Sequence, residues 1–151
     1  EGKVASRLGI VLSGLFRTYY INRNADDITT AFHEPGSLLL SIDSFNNQVR
    51  AKENIVALER SELLTITLDN WKKLNELVSK WGEVCRVTGD YVSMRLQARA
   101  REFQTLSASE RYEKFCQKHP QVLQKATLGQ ISSYLGIDIA TLSRIRKKIT
   151  F

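Results

Sequence analysis

Arg144, Arg146, Lys147 and Lys148 crowd the end of the segment TLGQISSYLGIDIATLSRIRKK, Thr127 to Lys148. With Thr141 and Ser143 they make a polar and basic face that contains no acid. A guanidinium can present two parallel donors to a guanine edge, and lysines can neutralise phosphates, so the chemistry this face suits is gripping a polyanion. Other chemistry finds little to work with. His33 and His119 are the only histidines; one abuts Glu34, the other precedes Pro120, and neither has a nucleophile in a recognisable motif. No glycine-rich phosphate loop occurs, so catalysis is not expected. Cys85 and Cys116 lie far apart without histidines in ligand spacing, too few for a zinc or iron–sulfur site. They fit the reduced thiols of a cytoplasmic protein.

The basic face needs elements to hold it. Thr127 with Gln130 forms a capping box, which starts a helix whose apolar side is Ile131, Tyr134 and Leu135. Gly136 supplies the left-handed residue that ends this helix, and Ile137 plugs the corner. Asp138 caps a second helix in which Leu142 and Ile145 face inward. The pattern is a helix-turn-helix whose second helix is shaped to enter a DNA major groove, with small Ser132 at the close contact between helices. Upstream, Ser107 and Glu110 form another capping box, opening ERYEKFCQKH, which Pro120 closes. Tyr112, Phe115 and Cys116 are its expected buried side, and it should pack as the third helix of a small bundle.

The chain has 151 residues, 42% hydrophobic and 25% charged, as in a globular protein, and no apolar run approaches membrane-spanning length. Net charge is +6, and its placement matters more than its size. Beyond Met94 there are eleven Lys/Arg against four Asp/Glu, whereas Glu1 to Met94 holds eleven against twelve. The positive excess thus coincides with the helix-turn-helix, on a nearly neutral body, and nucleic acid is the expected polyanion.

Residues 1–67 read as a run of short strands. LGIVLSG and LFRTYYI flank Gly14; turns are expected at Asn22 to Asp27, at Glu34-Pro35-Gly36 and at Gln48; Leu38 to Ile42 reads as a strand buried on both faces; VRAKENIVALERS and LLTIT follow. Such spacing suggests an antiparallel roll, with its first strands lying outside this sequence. Residues 68–106 read as helical, starting at Asp69, with a bend near Gly82 and an end near Thr105. Val84, Val87, Tyr91, Met94 and Ala98 step by three and four, the seam of a two-stranded coiled coil. A second stripe, Trp81, Cys85, Thr88, Val92, Leu96 and Phe103, runs beside it, so one stripe can pack on its own subunit while the other meets a twin. Residues 107–151 form the helix-turn-helix part. The fold class expected is α+β.

The order of roll, long helix and helix-turn-helix resembles the Crp/Fnr family of bacterial transcription regulators. The residues that carry the likeness are IVLSGLFRTYY, FHEPGSLLLSIDSF, SASERYEKFCQKHP and ISSYLGIDIATLSRIRK. The resemblance implies a cyclic-nucleotide-binding-like sensor roll, a homodimer held by the long helix, a palindromic duplex DNA target, and RNA polymerase as a further partner if the output is activation. It implies no membrane partner. Thr141, Arg144 and Lys147 match the family's reading helix, and Thr127 matches its phosphate-contacting position. The family's Arg-Glu pair at the start of that helix is replaced by Ile139 and Ala140. The Gly-Glu pair for a ribose falls on Leu40 and Ser41, and the Arg-Ser pair for a cyclic phosphate falls on Ala51 and Lys52, with Arg50 adjacent. Ser41, Arg50 and Lys52 are therefore the candidate effector residues, but cAMP is not expected to bind in the usual geometry. Leu96 and Gln97 stand at the adenine-contacting place. The sequence stops at Phe151, before the usual β-hairpin wing. The rival reading is a nucleotide-sensing or scaffold module whose helical end grips a protein.

Overall fold

A computed structural model describes residues 1–149. Six strands come first: β1 (Arg7–Ser13), β2 (Phe16–Ile21), β3 (Asp27–His33), β4 (Leu38–Leu39), β5 (Asn54–Ala57) and β6 (Glu62–Thr67), with a short helix α1 (Ile42–Asn47) between β4 and β5. They form two antiparallel three-stranded sheets, ordered β4-β1-β6 and β3-β2-β5, with Gly9 opposite Leu39 in one and Phe16 opposite both His33 and Ala57 in the other. Val11, Phe16 and Leu39 are the buried core between them. The turns fall where turn chemistry placed them. Asn22 Oδ1 accepts from the amides of Asn24 and Asp26, both at 2.9 Å, and Gly36 takes φ 84° with Ser37 N donating to Glu34 O.

Two expectations for the roll need correction. The apolar run Leu38 to Ile42 makes only a two-residue strand; Ile42 is exposed and opens α1. The reason is Ser44 and Phe45 just beyond it. Phe45 is 1% exposed, and the buried Ser44 hydroxyl accepts from Ala5 N and donates to Val49 O, which requires a helical turn there. Likewise VRAKENIVALERS yields a strand only at Asn54–Ala57; Arg50 makes a lone bridge with Val4.

The helices follow: α2 (Leu68–Leu77), α3 (Trp81–Thr105), α4 (Ala108–Lys118), α5 (Pro120–Lys125), α6 (Leu128–Leu135) and α7 (Ile139–Lys148). Helix α2 starts one residue before Asp69, capped by the Thr67 hydroxyl, and the break before α3 lies at Val78–Lys80 instead of Gly82. Edge-on aromatic packing fixes that corner: Trp71 meets Phe45 of α1 at 6.2 Å and Trp81 of α3 at 4.9 Å. Helix α5 was not expected, because Pro120 reads as a stop. It closes α4 and then serves as the first residue of α5, where its missing N–H costs nothing, and Val122 behind it is fully buried.

One hydrophobic cluster joins roll and carboxyl-terminal helices. It contains Leu15 and Phe32 of the roll with Tyr112, Phe115, Cys116, Val122, Ile131, Leu135, Ile137, Leu142 and Ile145. At its rim His33 bonds Thr18 Oγ1 through Nε2 at 2.8 Å. Burial lowers the His33 pKa most, a hydrogen bond to the Leu38 backbone raises it, and the charge of Arg95 lowers it, leaving it at about 4. Between the ordinary imidazole value and about 4 the unfolded chain binds the extra proton. The stability this neutral histidine contributes is therefore complete above about pH 6.5 and lost as pH falls towards 4, roughly 3 kcal/mol in all. His33→Gln should flatten the pH dependence of urea unfolding between pH 6.5 and 4, and an unchanged acid slope would refute this.

Candidate nucleic-acid interface

Helices α6 and α7 are built by local signals. The Thr127 hydroxyl accepts from Gln130 N at 3.2 Å while Gln130 Oε1 accepts from Thr127 N at 2.9 Å, so the capping box is formed in both directions. Gly136 takes φ 61°, Ile137 is buried, and Asp138 Oδ1 accepts from Thr141 N at 2.8 Å to start α7. The Thr141 hydroxyl, its amide and the Arg144 charge hold the Asp138 carboxyl below the usual range, the hydroxyl most, so the cap stays ionised. Leu142 is 0% and Ile145 8% exposed. Burying such a side chain is worth roughly 1.5–3 kcal/mol, more than any exposed charge on this helix contributes, so these two decide which face turns inward.

What remains outward is the basic face. Arg144, Arg146, Lys147 and Lys148 are exposed, as is Thr127; Thr141 and Ser143 are half-buried beside them. Arg144 is not loose. Its guanidinium donates to Thr141 Oγ1 at 3.0 Å and to Ala140 O at 3.4 Å, which lays it along the leading edge of α7. Ile139 and Ala140, also exposed, lie at that edge. Helix α4 supports the pair from beneath through Tyr112, Phe115 and Cys116, its own start fixed by the Ser107–Glu110 capping box.

The long helix α3 has no fully buried residue among those described. Val84, Val87, Tyr91, Met94 and Ala98 are all exposed, Tyr91 by 60% and Met94 by 68%. Trp81, Cys85, Thr88 and Val92 of the neighbouring stripe are half-buried, while Leu96 is exposed. Phe103, 41% exposed, lies against Gly136 and between the guanidinium groups of Arg99 and Arg111. Glu102 joins α3 to α4 through Lys114 at 2.6 Å and Lys118 at 3.4 Å. Burial pushes its carboxyl up, but the two lysines together pull it below the usual range.

In the roll a cavity of ≈ 460 Å³ is lined by Leu8, Phe16, Leu39, Leu40, Ser41 and Leu63 among others, with Lys3 and Arg7 the cations on its wall. Ser41, one of the three candidate effector residues, is there; Arg50 and Lys52 are exposed and do not line it. At Leu40 and Ser41 the wall offers one hydroxyl and no carboxylate; the carboxylates that line the cavity are Glu1 and Glu53, elsewhere on its wall. Sequence reasoning did not pick out Phe16 or Arg7 as wall residues, because nothing local distinguishes an inward strand residue facing a cavity from one facing a core. Among the described residues no helix is long and apolar enough to cross a membrane.

This architecture, a small β-roll leading through a long helix into a helix-turn-helix, is that of the Crp/Fnr regulators. FixK2 from Bradyrhizobium japonicum superimposes with a TM-score of 0.79 at 17% identity, over 98% of this chain and 76% of that one. A chain from Eubacterium rectale whose description assigns it to the crp/fnr family gives 0.74 at 17% identity, over 97% and 69%. The c-di-GMP responsive global regulator CLP of Xanthomonas campestris gives 0.68 at 16% identity, over 97% and 78%. None of the curated proteins compared matches the sequence. Residues 1–76 match the cyclic nucleotide-binding domain, and the chain belongs to that family.

Gly136 is the residue on which the α6–α7 pair turns. Its φ of 61° disfavours any side chain, and a Cβ there would sit 2.8 Å from the Phe103 ring. Gly136→Ala should lower unfolding stability by roughly 1–2 kcal/mol from the left-handed backbone alone. Denaturant titration checks this, and a neutral result would show that the turn relaxes freely.

Proposed function

We propose that this chain is a homodimeric, sequence-specific DNA-binding transcription regulator of the Crp/Fnr type, acting in the cytoplasm. The observation that carries the reading is α7: its apolar side is locked into the shared core while four cations project from the other side with no acid among them. Roles follow from geometry. Arg144, laid along the leading edge by Thr141, reads a base edge, guanine being the simplest match for its fork. Thr141 touches a thymine methyl or a phosphate. Arg146, Lys147 and Lys148 hold phosphates, with Ser143 and the Thr127 end of α6 assisting.

The exposed stripe Val84, Val87, Tyr91, Met94 and Ala98 is the dimer face. Five side chains at coiled-coil spacing, open to water in one subunit, are what a paired helix would cover. Two reading helices then meet successive major grooves about 34 Å apart on a palindromic site. The roll either takes an effector other than cAMP held in the family's usual way or is a scaffold that senses nothing, since Leu40 and Ser41 replace the ribose carboxylate position and Arg50 and Lys52 lie away from the cavity. RNA polymerase is the further partner if the output is activation. The rival, a helical end that grips a protein, predicts no salt-steep affinity for duplex DNA.

Selection from random duplexes, with and without cAMP and cyclic di-GMP, tests DNA binding, half-site symmetry and effector dependence together. On the selected site Arg144→Ala should relax preference at one base per half-site, worth roughly 1–3 kcal/mol of discrimination. Lys147→Ala should weaken all duplexes alike and reduce the slope of log K against log salt by about one unit. Equal losses for both variants on every duplex would rule out Arg144 as the reader. Met94→Glu should shift the sedimentation profile towards monomer, and an unshifted profile would place the dimer face elsewhere.

A further inference from the structure

The open side of β3 is where the helix-turn-helix meets the roll. β3 is an edge strand, so half of its backbone groups face away from β2. Helix α6 supplies their partners. Ser133 Oγ accepts from Thr29 N at 2.8 Å and donates to Asp27 O at 3.2 Å. Behind them Arg17, only 4% exposed, fixes the strand: it holds both Asp27 carboxylate oxygens, at 2.5 and 2.7 Å, and donates to Thr29 Oγ1 at 2.9 Å. One residue further the ladder slips. Thr18 faces Ala31 but Tyr19 faces Thr29, so Thr30 is an extra residue, and such a bulge re-aims its backbone. The Thr30 carbonyl is taken by Arg99 of α3. The same guanidinium donates to Tyr134 O at the end of α6 at 2.9 Å and lies 4.1 Å from the Tyr134 ring. A single side chain thus bonds the roll and the first DNA-binding helix from the long helix. Glu34–His119 at 2.5 Å and Lys125–Glu59 at 3.0 Å flank the seam. The second of these is partly exposed and worth at most about 1 kcal/mol.

We infer that this seam sets where the reading helix lies in the assembled regulator, with Arg99 as its positioning residue; the inference rests on the regulator reading above. Docking leaves Arg144, Arg146, Lys147 and Lys148 exposed, so the seated helix pair is able to meet DNA. Two seated pairs hold a fixed separation; two released pairs do not. The seam thereby determines tolerance to half-site spacing, while base preference stays with α7.

The test uses the whole chain, wild type against Arg99→Gln and Ser133→Ala, on duplexes whose half-sites are moved apart or together by one and two base pairs. Wild-type affinity should collapse off the best spacing. The variants should lose about tenfold on the best spacing, flatten the spacing profile, and bind a single half-site within about twofold of wild type. Hydrogen exchange at the Thr29 amide, which Arg99 does not touch, should rise in Arg99→Gln while the melting temperature holds. An Arg99→Gln that keeps Thr29 protected and keeps the wild-type spacing profile overturns the inference. If Arg99→Gln does not fold, the spacing profile of Ser133→Ala decides in the same sense. A wild type that binds no duplex would sink the regulator reading instead, and the Thr29 amide would still decide the seam.

Discussion

An edge strand beside a buried cluster has to have its outward backbone groups satisfied, and in this molecule that constraint organises everything from Arg17 to Tyr134. A sheltered N–H or C=O without a partner costs roughly 1–3 kcal/mol. Thr29 N and Thr30 O would each be such a group if α6 and α3 covered the strand without the Ser133 hydroxyl and the Arg99 guanidinium. Phe32, on the same strand, adds the apolar half of the attachment: its ring packs on Tyr134 at 5.3 Å and on Phe115 at 6.2 Å. Hydrogen bonds give the seam its register, and the aromatic cluster gives it most of its strength. Roll and helix-turn-helix therefore share one core and do not hang together by a linker alone.

The helix-turn-helix was legible because its instructions are local. Thr127, Gln130, Gly136 and Asp138 act on residues two to four places away, and each made the bond its type and position specify. The long helix was legible for the same reason, since two apolar stripes can be counted off the sequence. Helix α1 was not, because what folds it is the distant partner Ala5 of the Ser44 hydroxyl and the burial of Phe45 against Trp71. Leu38 to Ile42 looked like a strand only because its apolar run carries no mark of where the chain must turn. Nor was α5, where one proline both ends a helix and begins another.

The seam was invisible in the sequence for a stronger reason. Ser133 and Thr29 are more than a hundred residues apart, and Arg99 is sixty-nine from Thr30. On a helical wheel Ser133 is one more polar residue, Arg99 one more cation near the end of a coiled-coil helix, and Arg17 an odd charge in a strand. Only the fold shows that these three meet on one strand edge, and that the charge excess beyond Met94 is not all free to face a polyanion. Arg99 and Arg111 are committed to backbone carbonyls, Arg111 to Leu135 and Leu106.

Those commitments bear on how the roll is coupled to α6 and α7. A ligand shifts the molecule only through contacts that differ between two arrangements. Phe16 lines the cavity and also stands in register with His33 at the end of β3, so the cavity wall and the docking strand are neighbours in one ladder. His33 in turn is followed by Glu34, which meets His119 at the junction of α4 and α5. From the cavity wall to the α4–α5 junction is therefore one strand spacing and one side-chain pair, a route that does not pass through the long helix. Arg99 meets the middle of β3, at Thr30, and ties it to the long helix instead. β3 thus lies beside the cavity wall through Phe16 and is bonded to the long helix through Thr30.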